Sequence, residues 1–538
     1  MKATYIDYSE TNSFSPAVIR YLEQDPQLAP FISYKPTIEG FKQLIANKKS
    51  GCDRQTLVKV LNEQYAEITN SREQDISLVS KNIELLSRDT TYTITTGHQL
   101  NLFTGPLYFI FKIVTAINLA RVLKSNFPEK DFVPVYWMAT EDHDFEEINH
   151  THIGGKKIEW SHNAQGATGR LCLNDIASVI KEYTGVLGFS ENAEKLAQLV
   201  EKAYLKHSTL ASATRYLVNG LFKDYGLVII DADHPELKKQ FKDIIQDDIT
   251  QQNSFKTINT SIEKLHSAGV DAQVNPREIN FFYLLDNLRE RVIYENNRYS
   301  VLNTGISFSE DELKQEIHLY PERFSPNVVM RPLYQEIILP NIAYVGGGAE
   351  VVYWLQLKEN FEHYGVDFPI LILRNSALVG GTRLGEIIKK LNLSPADLFK
   401  SADELKNKWV LAHSEHTLNL TDEWLEFKCL FEKIKLRTHK IDPTLTASTE
   451  AVRARLEKAI QNLEKKLLKA EKRNHSDSLN SIDNFKKALF PKGGLQERSE
   501  NFGLFYVKYG DEFISSLINT FKPLDSKFTI LQQEKTTI

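Results

Sequence analysis

The chain reads as an α/β protein: a doubly wound parallel sheet with an inserted α+β segment and an α-helical coiled-coil arm. Three observations predict this. Between about residues 89 and 393, short apolar runs alternate with segments of helical periodicity, the pattern of a parallel sheet covered by helices. The runs Thr91–Thr96, Phe132–Ala139, Gly226–Asp231 and Phe368–Leu373 are β-branched, aromatic or aliphatic through most of their length, as strands buried on both faces are. Finally, Leu456, Ile460, Leu463, Leu467 and Ala470 follow 4-3-4-3 spacing among acidic and basic residues, which marks a coiled-coil seam.

Taken in order, residues 1–88 read as a helical segment packing on the core, with 3.6-residue periodicity over Pro16–Gln24, Ile38–Lys48 and Arg54–Glu67. The first part of the core spans 89–245. Its first strand meets Gly97, and a buried helix follows from Leu107, with Thr104 as its expected N-cap and Pro106 near its first position. That helix contains Lys112, Asn118 and Arg121, which makes membrane insertion costly. Residues 246–330 carry strand signals at Asn280–Leu285, Glu290–Tyr294 and Tyr299–Leu302 and read as an α+β insertion. The core resumes over 331–393, with a helix at about Glu350–His363. The arm occupies 394–495, where Leu479–Leu489 is expected to return antiparallel to the seam helix. Residues 496–538 return to the core.

At 538 residues the chain exceeds what one hydrophobic core usually organises. Hydrophobic residues at 42% and charged residues at 25% exclude a wholly disordered chain. A net charge of −5 gives no general attraction to nucleic acid or to an anionic membrane. The three cysteines form no metal-spaced cluster and suit a reducing compartment. The N-terminus has no apolar signal core. A cytoplasmic protein is expected.

Three polar, Gly-punctuated loops stand out: Gly97–Pro106, Thr140–His150 and Tyr344–Glu350. In the first, Gly97, Gln99, Thr104 and Gly105 would hold a nucleotide or phosphate near a helix N-terminus, with Lys112 behind them, and His98 would donate to a phosphoryl oxygen. The second crowds acids at 141, 142, 144, 146 and 147 around His143. Such crowding is offset by a bound cation, by a substrate amine or by acid–base chemistry, so Asp142, His143 and Asp144 are catalytic candidates. Mg²⁺ suits such oxygens; zinc does not fit, and no dedicated metal site is assigned. In the third, Tyr344, Gly346, Gly347, Gly348 and Glu350 form a substrate-binding candidate, joined by Arg374 and Asn375 at the end of the last strand.

TGHQLNLFTGPLYFIFK, PVYWMATEDHDFEEINH and YVGGGAEVVYWLQLK, in that order, resemble the cysteine-adding ligase family of bacillithiol biosynthesis, and Leu495–Phe502 is similar to its closing segment. The resemblance covers essentially the whole chain. It implies a Rossmann-like core with connecting-peptide insertions, related to class I aminoacyl-tRNA synthetases, and a coiled-coil arm that makes a homodimer. It also implies amide formation between cysteine and glucosaminyl-malate, without fixing the activating cosubstrate; ATP with Mg²⁺ is the expectation here, with no tightly bound cofactor. Gly97-His98-Gln99 stands where a synthetase carries its His-bearing signature, but no lysine loop follows the last strand. Two other readings remain: a nucleotidyl transferase of the same architecture, and a non-catalytic dimeric nucleotide-binding scaffold.

Overall fold

The structure, a computed structural model, describes residues 1–48 and 51–533. Its central sheet has five strands: β1 (Thr91–His98), β2 (Asp131–Met138), β3 (Val228–Asp231), β4 (Asn341–Gly346) and β5 (Ile370–Leu373). Their order is β5-β4-β1-β2-β3, and every neighbouring pair is parallel. This is a doubly wound order in which the direction of winding reverses between β1 and β4. Such a reversal opens a crevice at the carboxyl ends of those two strands.

β1 is buried from Thr91 to Gly97, which explains its β-branched composition. Helix α1 (Tyr108–Asn126) packs on β1 and β2 and is buried continuously from Phe109 to Ala120. Helix α2 (Gly348–Leu355) leaves β4 through the glycine run.

Two expectations about this core need correction. Thr104 does not cap α1, which starts at Tyr108 with Leu107 before it and no side-chain cap. Residues Leu102–Thr104 instead form a short 3₁₀ turn, in which Phe103 and Thr104 take positive φ of 51° and 70°. Asn501, about 400 residues away, holds that turn: its Nδ2 donates to the carbonyls of Phe103 (2.9 Å) and Gly105 (2.8 Å). The run at 341–346 is a central strand of the sheet. Its opening Asn hides it, yet Asn341 Oδ1 accepts from the hydroxyls of Thr93 (3.1 Å) and Thr95 (2.8 Å) on β1. The expected helix over 350–363 is two helices, Gly348–Leu355 and Lys358–His363.

The inserted segment folds as a five-stranded sheet in which Ser307–Phe308, Arg298–Val301, Leu288–Glu295, Phe281–Leu285 and Phe324–Pro326 are adjacent in that order and antiparallel.

The chain forms two compact units. The larger holds residues 3–378 and 494–530, and the smaller is built on 379–493. In the smaller unit, α3 (Ala402–His413), α4 (Thr421–Ile441), α5 (Leu445–Asn474) and α6 (Ser476–Leu489) are the main helices. The seam helix α5 pairs chiefly with α4, across a short turn, and α6 packs on α3. Leu479–Leu489 is therefore not the partner of the seam that its position suggested.

Candidate active site

Parallel strands deliver their carboxyl ends to one edge of the sheet. There, in the larger unit, the loops after β1, β2 and β4 open into a cleft of about 940 Å³. Gly97, His98 and Gln99 line it from β1, Glu141, Asp142 and His143 from β2, and Gly347, Gly348 and Glu350 from β4; Lys112 and Arg374 also face it. The lining does not include Thr104, Gly105, Asp144, Tyr344, Gly346 or Asn375.

Glu350 is the centre of one half. Its Oε1 accepts from the Tyr344 hydroxyl (2.8 Å) and its Oε2 from the Gly347 N–H (2.7 Å). Lys112 Nζ approaches Oε2 to 2.5 Å and also donates to the Gly97 carbonyl at 2.8 Å. Burial pushes the Glu350 carboxyl up, but Lys112 and these donors outweigh it and hold the group below its ordinary range. The helix N-terminus expected to receive a ligand anion thus already holds an anion of the protein. Lys112, expected to meet a phosphate, is paired in the same way.

Gly97 has a steric reason. A Cβ there would lie 3.2 Å from the Tyr344 hydroxyl and 3.3 Å from Arg331 Nη1. Arg331 Nη2 donates to the Tyr353 hydroxyl at 3.1 Å, while Nη1 is buried and unpaired.

The His98 ring lies between Tyr108 and Phe109, at centroid distances of 5.4 and 5.3 Å. Burial, with Lys112 nearby, depresses its pKa to about 3, so the imidazole is neutral at pH 7. Its Nε2 is buried without a hydrogen-bond partner.

In the acidic loop the carboxylates separate into distinct environments. Asp142 faces the cleft: Oδ2 accepts from Gln99 Nε2 (2.8 Å) and Oδ1 from the His143 N–H (2.8 Å). Burial raises its pKa, but Gln99 and Arg289 more than reverse that, so Asp142 stays ionised. Glu141 pairs with the fully buried Lys238. Asp144 caps the four-residue helix Phe145–Ile148, accepting from the Glu147 N–H at 3.3 Å. Gln99, read as a phosphate ligand, spans Asp142 and Glu147, 2.6 Å from the latter.

Arg374 is buried. Its Nη2 lies 2.7 Å from Oε1 of Glu497, itself fully buried, and its Nε has no partner. Asn375 turns away from the cleft, its amide donating to the Lys522 carbonyl at 3.2 Å and its main-chain N–H to the Thr115 hydroxyl at 3.0 Å.

The sequence reading passed over Arg277, Arg289, Arg291 and Arg498, all of which line the cleft. Arg289 and Arg291 sit two apart on one strand and so point to one face, a signal the sequence did contain. With Lys112, Arg331 and Arg374 they make seven cations against three lining carboxylates, Glu141, Asp142 and Glu350. Among the described residues, Arg277, Arg291 and Arg498 have no carboxylate partner. A chain of net charge −5 thus presents a locally cationic cleft, suited to an anion with several charges.

Comparison with known proteins bears on what this cleft serves. Residues 1–375 match the family described as "Bacillithiol biosynthesis BshC, N-terminal Rossmann-like domain", and residues 378–533 match its "C-terminal coiled-coil domain". Proteins named "Putative cysteine ligase BshC" from Flavobacterium psychrophilum and Flavobacterium johnsoniae are each 45% identical over 536 residues, covering 99% of this chain and 100% of the relative. One of the same name from Chlorobaculum tepidum is 30% identical over 86% of both chains. A solved structure described as a "putative arginyl t-RNA synthetase" from Campylobacter jejuni, 12% identical, covers 82% of this chain and 97% of its own at a TM-score of 0.20, too low to bear on the fold. With both family domains matched in order along nearly the whole chain, this protein belongs to the bacillithiol biosynthesis BshC family.

Proposed function

We propose that the protein is a cysteine ligase that joins the carboxyl of cysteine to the amine of glucosaminyl-malate, forming the amide of bacillithiol. The observation that carries this reading is the cleft's charge pattern. The arginines at 277, 291 and 498, which have no carboxylate partner among the described residues, suit the two malate carboxylates or a polyphosphate. The ionised Asp142 is the one lining carboxylate that neither lysine neutralises, and it suits an ammonium group. The names of the relatives point to the same reaction class.

Amide formation needs an activated carboxyl, and ATP is the proposed activator. The lining carboxylates are each engaged by protein donors, so Mg²⁺ fits this site as an ion carried by phosphate oxygens and water rather than by a protein cage. The ammonium first gives up a proton to water, and the free amine nitrogen adds to the activated carbonyl carbon, whose oxygen gains negative charge. As the carbonyl re-forms, the phosphate-bearing group leaves with its electron pair, and the second N–H proton passes to it or to water. Asp142 orients the ammonium of the incoming substrate. His98, neutral at pH 7, supplies its unpartnered Nε2 to the reacting groups. The arginines bind the anionic ends and keep the reactants in register.

A homodimer through the coiled-coil arm is part of the proposal. Phe427, Leu430, Ile434 and Ile441 on α4 are exposed by 39%, 51%, 39% and 81%, at the spacing of a heptad seam. Leu430→Glu with Ile434→Glu should yield a monomer by light scattering, and an unchanged mass would remove this part. A cytoplasmic location agrees with three free cysteines and with the absence, among the described residues, of any helix long and apolar enough to cross a membrane.

The test is to incubate the protein with glucosaminyl-malate, cysteine, ATP and Mg²⁺ and follow the conjugated thiol by mass spectrometry. Product that requires the nucleotide and is lost with Asp142→Asn supports the ligase. Adenylylated product without a cysteine requirement would instead establish a nucleotidyl transferase. Tight binding of glucosaminyl-malate with no product under any nucleotide would favour the scaffold.

A further inference from the structure

The surroundings of His143, in the acidic loop, determine which of its nitrogens carries the proton. Arg289 Nη1 lies 2.6 Å from His143 Nδ1. A guanidinium only donates hydrogen bonds, so Nδ1 must present its lone pair. A neutral imidazole has one N–H, which must then sit on Nε2.

Arg289 is held where it is. It is buried, its Nε donates to Ser325 Oγ at 3.1 Å, and its guanidinium carbon lies 4.0 Å from the Phe282 ring centroid. The same Phe282 ring meets the His143 ring at 5.4 Å. The Asp142 carboxylate accepts the His143 main-chain N–H, and its Oδ1 stands 3.8 Å from His143 Nδ1 and 3.9 Å from Arg289 Nη1, so the guanidinium is the nearer partner of Nδ1. The charged groups facing the imidazole are Arg289 on one hand and Asp142, Asp144 and Glu290 on the other; burial and Arg289 prevail and hold His143 below its ordinary pKa. A protonated ring would set its Nδ1–H against the guanidinium N–H. Nε2 meets no partner among the described residues, and the side chain lies on the cleft wall.

We infer that His143 serves the cleft as a neutral Nε2–H donor, locked in that tautomer by Arg289, a positioning residue supplied by the inserted antiparallel sheet. The assignment of a tautomer stands on geometry; the identity of the oxygen that receives the bond rests on the ligase reading. That oxygen is the cysteine carbonyl oxygen, which gains charge as the amine adds to the carbon. A donor already in place strengthens its bond as that charge develops and need not transfer its proton. His143 is therefore not the base that accepts the amine proton, the role its acidic neighbours first suggest. The insertion acquires a role as well: besides closing the cleft, it sets the protonation pattern of a residue on the sheet edge.

The test uses the full chain labelled with ¹⁵N-histidine. A long-range ¹H–¹⁵N spectrum shows both ring nitrogens, and the His143 signals are assigned by their loss in His143→Gln. Expected at pH 8, where the ring is neutral, are a pyridine-type Nδ1 and a pyrrole-type Nε2, which collapse towards averaged signals in Arg289→Met. A protonated Nδ1, averaged nitrogens in the unaltered protein, or an unchanged pattern in Arg289→Met would overturn the inference. Because Arg289→Met removes a buried cation and can unfold the chain, a second arm compares His143→Gln with His143→Asn. The Gln amide nitrogen reaches the place of Nε2 and should retain turnover within about 10-fold, whereas Asn should lose about 100-fold or more. Equal turnover of the two would reject the donor role. If the unaltered protein makes no amide at all, the ligase reading fails, and the spectrum still decides the tautomer.

Discussion

Lys112 Nζ and Glu350 Oε2 lie 2.5 Å apart, so one ion pair, with its lysine buried and its carboxylate at the cleft wall, joins the helix after β1 to the helix after β4 across the switch point of the sheet. Removing one partner leaves the other charge without compensation, which in buried pairs costs about 3–5 kcal/mol. Lys112→Met should therefore lower the urea-unfolding free energy by about that much at pH 7. Glu350 has a folded pKa below its unfolded value, so its contribution is present above the unfolded pKa of about 4.3 and is lost as pH falls through the folded value. In Lys112→Met that sign should reverse, and the variant should gain stability relative to the parent between pH 7 and pH 4. Parallel pH profiles would contradict the pairing.

His98 shifts stability in the same sense as Glu350 does in the parent, but over a higher pH range. Its folded pKa of about 3 lies below the unfolded value of about 6.5. The unfolded chain therefore binds the extra proton, and this site subtracts stability as pH falls below 6.5, with a slope of up to about 1.4 kcal/mol per pH unit. Between pH 7 and pH 5 the parent should lose about 2 kcal/mol relative to His98→Gln. Denaturant midpoints at the two pH values measure this, and equal losses would mean that His98 is not neutral in the fold.

The cleft arginines that lack a carboxylate partner should act on binding rather than on chemistry. Arg291→Gln and Arg498→Gln should each raise KM for glucosaminyl-malate about 10-fold, about 1.4 kcal/mol of binding, with kcat little changed. The parent's KM should rise with ionic strength, and the double variant should lose most of that dependence. A fall in kcat at constant KM would place these residues with the reacting atoms instead.

Gly97→Ala tests the tightest approach in the site. The new methyl carbon would sit 3.2 Å from the Tyr344 hydroxyl and 3.3 Å from Arg331 Nη1, closer than ordinary contact. Because Gly97 precedes the end of β1 and its φ is not positive, backbone strain is not at issue. The variant should fold with a stability loss of about 1–3 kcal/mol and lose turnover by displacing the Tyr344–Glu350 hydrogen bond. Full activity would show that this bond is not needed for catalysis.

Most of the core was legible in the sequence, because burial along a single element leaves a local record. β1 and β2 declared themselves by β-branched and aromatic runs, and α1 by apolar residues on all its faces. The three loops declared themselves by putting glycines and charges directly after such runs. The heptad of α5 announced a helical arm. What the sequence could not contain was the partner of each charge. Arg289 meets His143 across 146 residues, and Arg374 meets Glu497 across 123. Glu350 and Lys112 each looked free to bind a ligand until the winding of the sheet brought them together, and α6 found α3 rather than the seam. Periodicity reports which face of an element is buried. Which charges neutralise one another, and which are left for a substrate, depends on distances of a few ångströms between distant segments, and only the packed chain sets those.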